Sequence, residues 1–251
     1  MKTTDYSKIA SKYDSNKIRH FIDKDLNIPN IITCNNATSL TVLDLACGTG
    51  NYLVKQTEEY KDQNIKWIGI DKSPNMLEVA KQKNLPAELL LGDACDIPLD
   101  NESVDYIKIR FAFHHFSDKI KALKEVHRVL KSNGCVSIYN ITHDYMHHSW
   151  IYKYYPQVEQ LDIERFPKSI DLYKWLDELH FETKGSIHTI IKKFYYSDIL
   201  DDARNRDMSQ LNLISDEEYI NGLNKIIDDS KENEYLIADI SFMDFLGKKI
   251  N

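Results

Sequence analysis

The sequence has few of the residues that mark several common protein classes. Its four cysteines among 251 residues form no CxxC pair, which excludes a zinc ribbon or disulfide framework and favours a cytoplasmic location. No apolar run is long enough for a membrane span, and no apolar segment follows the first residues, so neither a span nor a secretory signal is expected. The 39 acidic residues outnumber the 32 basic ones, which argues against a nucleic-acid partner.

Short apolar runs alternate with helical patterns through the middle of the chain. The runs that read as buried strands are 41–46, 65–70, 87–91, 104–109 and 135–141. Ser73, as an N-cap, and Pro74, at the first helical position, predict the start of one helix. Ser117 and Asp118 predict the start of another, which should end at Asn133-Gly134. This strand–helix alternation predicts a parallel sheet with helices on both faces.

The pattern changes after residue 141. Two later strands are predicted at 187–194 and 235–245, and the sequence between them is helical and acidic, including a predicted lid helix at 209–227. An insertion this long between neighbouring strands is typical of a lid or binding element. One domain is expected over 1–251, with a core at about 38–142, 168–195 and 234–247 and a helical cap at about 1–30, 143–167 and 196–233.

Glycine is scarce, and two of the eight glycines follow the first predicted strand. Gly48 and Gly50 lie one residue apart, so the backbone can turn tightly there and approach a ligand closely. The third glycine of a dinucleotide-binding fingerprint would fall at position 53, which is Leu53. An NAD-type pyrophosphate site is therefore disfavoured.

Acidic residues follow the next two predicted strands. Asp71 can accept hydrogen bonds from both ribose hydroxyls of a nucleoside, and Asp93 can accept one from an adenine amine while Ala94 donates its N–H to the ring. Each acid alone could instead be a helix N-cap. Their order at successive strand ends, together with Asp44, favours a cationic nucleoside as the ligand over a phosphate.

Four runs within about 40–141 carry a family resemblance: VLDLACGTG, IGIDKSPNML, LLGDACDIPLDNESVDYI and LKEVHRVLKSNG. Together they resemble the class I S-adenosylmethionine-dependent methyltransferases, in the broad group that includes the ubiquinone and menaquinone biosynthesis enzymes. The resemblance implies an α/β, Rossmann-like sheet of seven strands in the order 3-2-1-4-5-7-6, with the last strand antiparallel. It also implies that S-adenosyl-L-methionine gives its methyl group to a small-molecule acceptor by in-line displacement, leaving S-adenosyl-L-homocysteine.

The resemblance implies roles for individual residues as well. Asp44 and the two glycines would shape the pocket for the methionine part, Asp71 would hold the ribose, and Met76 would pack near the adenine. The segment after the fourth strand, 110–116, would face cofactor and substrate. The complete set predicted to bind the cofactor is Tyr13, Arg19, Asp44, Ala46, Gly48, Gly50, Asp71, Lys72, Met76, Asp93, Ala94 and Arg110.

Histidines and aromatic residues are the candidates for acceptor chemistry. His114 or His115 could act as a general base because imidazole titrates near neutral pH, or both could pack beside the cofactor. The residues predicted to bind the substrate are His115, Tyr145, His147, Trp150, Tyr152 and Arg204. The aromatic residues among them could instead form a core, and Arg204 could pair with neighbouring aspartates.

Three histidines after the fifth predicted strand raise the question of a metal site, and two other functions are compatible with the sequence. His143 and His147 have the spacing of metal ligands on a helix, but with His148 they have only one neighbouring acid and no cysteine. A polar lining of the active site or plain surface positions are therefore favoured, and no metal is predicted. An RNA or protein methyltransferase and a non-catalytic adenosyl-ligand binder are the alternative functions. A monomer and a homodimer are both compatible with the sequence.

Overall fold

The computed structural model describes residues 22–206 and 208–250. Its strands are β1 (Leu40–Leu45), β2 (Ile65–Asp71), β3 (Glu88–Leu91), β4 (Val104–Arg110), β5 (Leu130–Ile141), β6 (Phe181–Tyr195) and β7 (Tyr235–Lys249). Its α-helices are α1 (Asn27–Asn35), α2 (Asn51–Glu59), α3 (Pro74–Lys81), α4 (Lys119–Val129), α5 (Trp150–Tyr154), α6 (Pro156–Arg165), α7 (Ser169–Glu178), α8 (Tyr196–Arg204) and α9 (Asp216–Glu232). Short 3-10 helices cover Phe113–His115 and Ser209–Asn212.

The seven strands form one sheet in the order β3-β2-β1-β4-β5-β7-β6, with β7 antiparallel. The predicted fold class and strand order are therefore confirmed. β1 lies between two parallel neighbours, and Asp44 is in register with Gly69 on β2 and with Lys108 on β4. Because parallel strands end at the same edge, the residues after β1, β2 and β4 meet along one side of the sheet.

Two helix boundaries differ from the predicted ones. The predicted lid helix at 209–227 instead begins at Asp216, because the Ser215 side chain accepts the N–H of Glu218 and the Glu218 side chain accepts that of Ser215. This capping box fixes the first turn, and a separate 3-10 helix precedes it. The other difference is α4, which ends at Val129 rather than at Asn133-Gly134, because the chain enters β5 at Leu130.

The described chain divides into two compact units. The sheet unit comprises 22–140, 170–186 and 244–250, and the helical unit comprises 141–169, 187–206 and 208–243. In the sheet unit, Val42 on β1 and Tyr106 on β4 are fully buried and belong to a cluster that also contains Leu53 of α2. Burial of this kind on both faces explains why these strands read as continuous apolar runs. The single-domain organisation stays a prediction.

The helical unit has its own apolar core, built largely from aromatic side chains. Trp150, Tyr154 and Tyr155 are buried in this core together with Ile199 of α8 and Ile226 of α9. Tyr154 donates a hydrogen bond to Asp229 at 2.7 Å, which links α5 to α9. Among the described residues, the helices are all too short or too polar to cross a membrane.

We expect Gly222→Ala to destabilise the helical unit. A methyl group at Gly222 would lie 2.8 Å from the Tyr154 carbonyl oxygen and closer still to the Tyr155 ring, so α9 would have to move away from α5. Overpacking of this kind costs about 1–3 kcal/mol, which exceeds the roughly 1 kcal/mol of helix propensity that alanine gains. Urea unfolding should therefore give a lower free energy of unfolding than for Asn221→Ala, an exposed neighbour on the same helix. Equal stability of the two variants would contradict this packing.

Candidate active site

The loop between β1 and α2 turns through three residues with positive φ angles. Ala46 has φ 61°, Gly48 has φ 55° and Gly50 has φ 77°. A methyl group at Gly50 would lie 3.0 Å from the Leu85 side chain, whereas no described atom lies within 4 Å of the position that a methyl group at Gly48 would take. The backbone at Gly48 is thus bare on one side, as close approach of a ligand requires.

Asp71, at the end of β2, connects this loop to the start of the next helix. Its Oδ2 accepts the N–H of Gly48 at 2.8 Å, and its Oδ1 accepts the N–H of Ser73 at 2.8 Å. Burial raises the pKa of Asp71, and backbone hydrogen bonds from Ser73, Gly48 and Lys72 oppose that rise. A carboxylate has about four acceptor positions, so Asp71 keeps acceptor capacity for a ribose hydroxyl beside these backbone donors.

Asp44 lies near the end of β1 and is 2% exposed. Its Oδ2 has no hydrogen-bond partner within 22–206 and 208–250. Burial raises its pKa to about 7, an effect that Arg110 and Lys108 oppose and Asp71 reinforces. Because a buried carboxylate oxygen is costly without a donor, Asp44 fits a site that receives a cationic or hydrogen-bond-donating group.

The residues predicted to contact the adenine lie after β2 and β3. The Ser73 side chain caps α3 by accepting the N–H of Met76, and the Met76 side chain is buried. Asp93 is exposed and accepts the N–H of Cys95 at 2.8 Å, which shapes the turn that holds the buried Ala94. Lys72 is exposed beside them.

Of the predicted cofactor residues, the structure brings Asp44, Gly48, Asp71 and Arg110 together in the sheet unit. The N–H of Gly48 donates to Asp71, and the charges of Asp71 and Arg110 both affect the pKa of Asp44. Arg110 ends β4, and its guanidinium carbon lies 4.5 Å from the centre of the Phe111 ring. The predicted residues Tyr13 and Arg19 lie outside the described part of the chain.

The two candidate bases occupy the 3-10 helix that follows β4. His114 is buried, and its Nδ1 lies 2.9 Å from Oδ1 of Asn140 on β5. An amide oxygen only accepts, so Nδ1 carries the proton in the neutral ring and the basic lone pair lies on Nε2. The ring of His115, which is half-buried, lies 3.8 Å from that of His114, measured between centroids.

The helical unit contains a cavity of about 270 Å³ that includes two of the predicted substrate residues, His147 and Tyr152. The Tyr152 hydroxyl donates to Asp162 at 3.0 Å, and burial raises the pKa of Asp162 to about 6. The described chain offers no hydrogen-bond partner to the buried Nδ1 of His143. The complete lining is His143, Asp144, Met146, His147, Tyr152, Glu159 and Ile163.

The remaining predicted substrate residues lie outside this lining. Trp150 is buried in the core of the helical unit, Tyr145 is 53% exposed, and Arg204 is exposed at the end of α8.

Four residues of the cavity lining were not predicted from the sequence: Asp144, Met146, Glu159 and Ile163. For His143 the sequence left a polar active-site lining, a surface position and a metal ligand open, and its spacing from His147 was the available signal. In the part of the chain that the structure describes, no three His, Cys, Asp or Glu side chains are grouped to hold a metal ion.

Sequence comparisons identify relatives over most of the chain. A protein-family profile described as a methyltransferase domain matches residues 42–134. A demethylmenaquinone methyltransferase of Staphylococcus epidermidis is 32% identical over 206 residues, covering 78% of this chain and 85% of the relative. A demethylmenaquinone methyltransferase of Lactococcus lactis is 33% identical over 187 residues, covering 69% of this chain and 72% of the relative.

Solved structures share the fold. A phosphoethanolamine N-methyltransferase of Haemonchus contortus, solved with phosphomonomethylethanolamine and S-adenosylhomocysteine, aligns with a TM-score of 0.56 at 18% identity. That alignment covers 96% of this chain and 58% of the other. The YcgJ protein of Bacillus subtilis aligns with a TM-score of 0.58 at 21% identity, covering 89% of this chain and 97% of the other. At these identities the likeness concerns the fold alone.

Proposed function

Because this chain belongs to the class I S-adenosylmethionine-dependent methyltransferases, in the group that contains the demethylmenaquinone methyltransferases, we propose that it methylates a demethylmenaquinone-type acceptor. It is an enzyme that transfers a methyl group from S-adenosylmethionine to a small molecule. The relatives do not favour an RNA or protein methyltransferase or a non-catalytic binder. A cytoplasmic location and a monomeric or homodimeric state stay predictions.

One observation supports the cofactor site more than any other: the buried, unpartnered Oδ2 of Asp44 lies in the same strand-end region as the bare backbone of Gly48. When bound, S-adenosylmethionine supplies a methyl group activated by a sulfonium charge. We assign the attraction of its cationic methionine part to Asp44 and the binding of its ribose hydroxyls to Asp71. Met76 and Ala94 supply apolar surface for the adenine.

The chain's own contribution to methyl transfer is orientation, exclusion of water and removal of a proton. His114 is the better placed of the two candidate bases to keep one orientation, because Asn140 holds its Nδ1 at 2.9 Å and directs the basic Nε2 to the opposite side of the ring. A hydroxylated acceptor becomes a stronger nucleophile when such a base takes its proton.

We assign the cavity of the helical unit to acceptor binding. His143 and His147 can hydrogen-bond to oxygens of the methyl acceptor, and the Tyr152 hydroxyl can accept from one of its hydroxyl groups. Met146 and Ile163 supply apolar contact for a ring. Tyr152 is held in place by Asp162 at 3.0 Å, so its position does not depend on the ligand. The rest of the lining is polar and includes the carboxyl groups of Asp144 and Glu159, so the apolar contact for a quinone-type ring is confined to two side chains.

The proposed activity is tested by incubating the protein with S-adenosylmethionine and a short-chain demethylmenaquinone in its reduced form. Mass spectrometry should then detect the acceptor with one added methyl group, together with S-adenosylhomocysteine. The same assay on phosphomonomethylethanolamine is the control for a different small acceptor. If the quinone stays unmethylated while the protein binds S-adenosylmethionine, the proposed acceptor is wrong.

We expect His147→Ala to raise the acceptor KM about fivefold, since one hydrogen bond is worth roughly 1 kcal/mol. The dissociation constant for S-adenosylmethionine, measured by calorimetry, should not change. His188→Ala, which removes an exposed histidine of the same unit, is the matched control. An unchanged acceptor KM in His147→Ala would exclude this residue from the acceptor site.

A further inference from the structure

A row of polar residues crosses the centre of the sheet. Asp44 on β1 is in register with Lys108 on β4, and Lys108 is in register with Ser137 on β5. Because residues in register on adjacent strands project to the same face, the three side chains lie side by side. A lysine at this position interrupts a strand that is otherwise largely apolar, from Val104 to Arg110.

Lys108 is held on both sides by partners that are themselves buried. Its Nζ donates to Oγ of Ser137 at 2.9 Å and lies 3.7 Å from Oδ2 of Asp25, and its side chain is only 12% exposed. The same Asp25 oxygen accepts the hydroxyls of Tyr52 and Tyr106, each at 2.8 Å. The ammonium therefore has a fixed place and little contact with solvent.

The Asp44 carboxylate is surrounded by several charged or titratable groups. Burial raises its pKa to about 7, Arg110 and Lys108 act in the opposite direction, and Asp71 adds to the rise. The other groups that interact electrostatically with Asp44 are the Cys47 thiol and the Tyr52 phenol, whose own pKa values are raised chiefly by burial. Near neutral pH, each of the two nearby cations therefore affects the fraction of Asp44 that is ionised.

We propose that Lys108 is a positioning residue of the cofactor site, whose fixed ammonium keeps Asp44 ionised so that Asp44 can attract the cationic cofactor. The proposal rests on the role given above to Asp44. Lys108 acts through Asp44, and no contact between Lys108 and the cofactor is required. Arg110 opposes the rise in the pKa of Asp44 more than Lys108 does, but Arg110 ends its strand, whereas Lys108 is fixed inside the sheet by Ser137 and Asp25.

Packing alone does not account for a lysine at this position. A methionine would fill similar space in the sheet without the cost of burying an ammonium. What the lysine adds is a positive charge on a residue in register with Asp44, held 3.7 Å from Oδ2 of Asp25. Removing that charge should change when Asp44 ionises, whereas a purely structural change would alter affinity equally at every pH.

The experiment is calorimetric binding of S-adenosylmethionine across pH 5.5–9 to the wild type, Lys108→Met and Lys108→Arg. We expect Lys108→Met to move the midpoint of the affinity profile upward by about one pH unit, which weakens binding several-fold at pH 7 and little at pH 9. Lys108→Arg should restore the wild-type midpoint. Lys66→Met, which removes an exposed strand lysine paired with Glu88, should leave the profile unchanged.

Asp25→Asn provides a second, opposite test. It removes the negative charge that competes for Lys108, so the midpoint should move downward. A profile that does not move in Lys108→Met, or that moves the same way in both variants, overturns the proposal for Lys108. Asp44→Asn tests the cofactor site itself: if it binds S-adenosylmethionine as the wild type does, the role of Asp44 fails, which is a distinct result. The ligand's own titration is common to all variants and cancels in the comparison.

Discussion

Replacing Asp71 with alanine should weaken the binding of S-adenosylmethionine at least tenfold. The ribose loses two charge-assisted hydrogen bonds, which are among the stronger hydrogen bonds in proteins. In addition, Gly48 and Ser73 lose the acceptor that their backbone N–H groups share at 2.8 Å each. Both losses act on the same site, so the effect should exceed that of removing a residue that contacts the ribose alone.

Calorimetry with S-adenosylmethionine measures this effect directly. Asp71→Asn should have an affinity for S-adenosylmethionine between those of the wild type and Asp71→Ala, because its one amide oxygen can still accept a hydrogen bond from one of the two loops. Asp62→Ala removes an exposed aspartate just before β2 and should bind like the wild type. Wild-type affinity in Asp71→Ala would contradict the assignment of the ribose to this residue.

The second large effect concerns stability, where Asp44→Asn should make the ligand-free protein more stable. Between pH 3.8 and about 7 the folded state keeps a proton on Asp44 that the unfolded state has released, so stability falls as pH rises through this window. Above pH 7 the full cost of a buried carboxylate is present, at about 4 kcal/mol for a shift of this size. A buried amide keeps part of the desolvation cost, so we expect a gain of roughly 2 kcal/mol or more at pH 8.

Urea unfolding at pH 5 and pH 8 checks both the sign and the pH dependence. The gain should be larger at pH 8, because the wild-type carboxylate is still mostly protonated at pH 5. The same variant should bind S-adenosylmethionine more weakly, since it has lost the charge that the cofactor meets. An equal gain at both pH values would mean that ionisation of Asp44 is not its cause.

The sheet and the cofactor-site residues at the ends of its strands could be predicted from sequence, because the patterns that indicate them are local. A strand buried on both faces reads as an apolar run, and the residue that follows it must lie at the edge of the sheet. Asp71 and the pair Gly48 and Gly50 were identified in this way, and the structure places Gly48 against Asp71. The family resemblance then supplied the strand order, which local signals alone do not determine.

The acceptor cavity and the role of Lys108 depend on contacts that are distant in sequence. Glu159 and Ile163 reach the cavity because α6 packs beside the 143–147 segment, and no periodic pattern records that contact. Trp150 and Tyr152 are both aromatic residues buried in the core of the helical unit, yet of the two it is Tyr152 that also lines the cavity. Lys108 gains its neighbours Asp44 and Ser137 only from the strand register.

The hydrogen bonds that Asp71 accepts from Gly48 and Ser73 also determine when conformational entropy is lost. The backbone at Gly48 and at Ser73 is joined to one carboxylate before any ligand arrives. Restricting the backbone of a residue costs about 1–2 kcal/mol of conformational entropy. For these two loops that cost arises when the protein folds and not when the ligand binds. A ligand therefore meets a preorganised surface, and more of its interaction energy is retained as affinity.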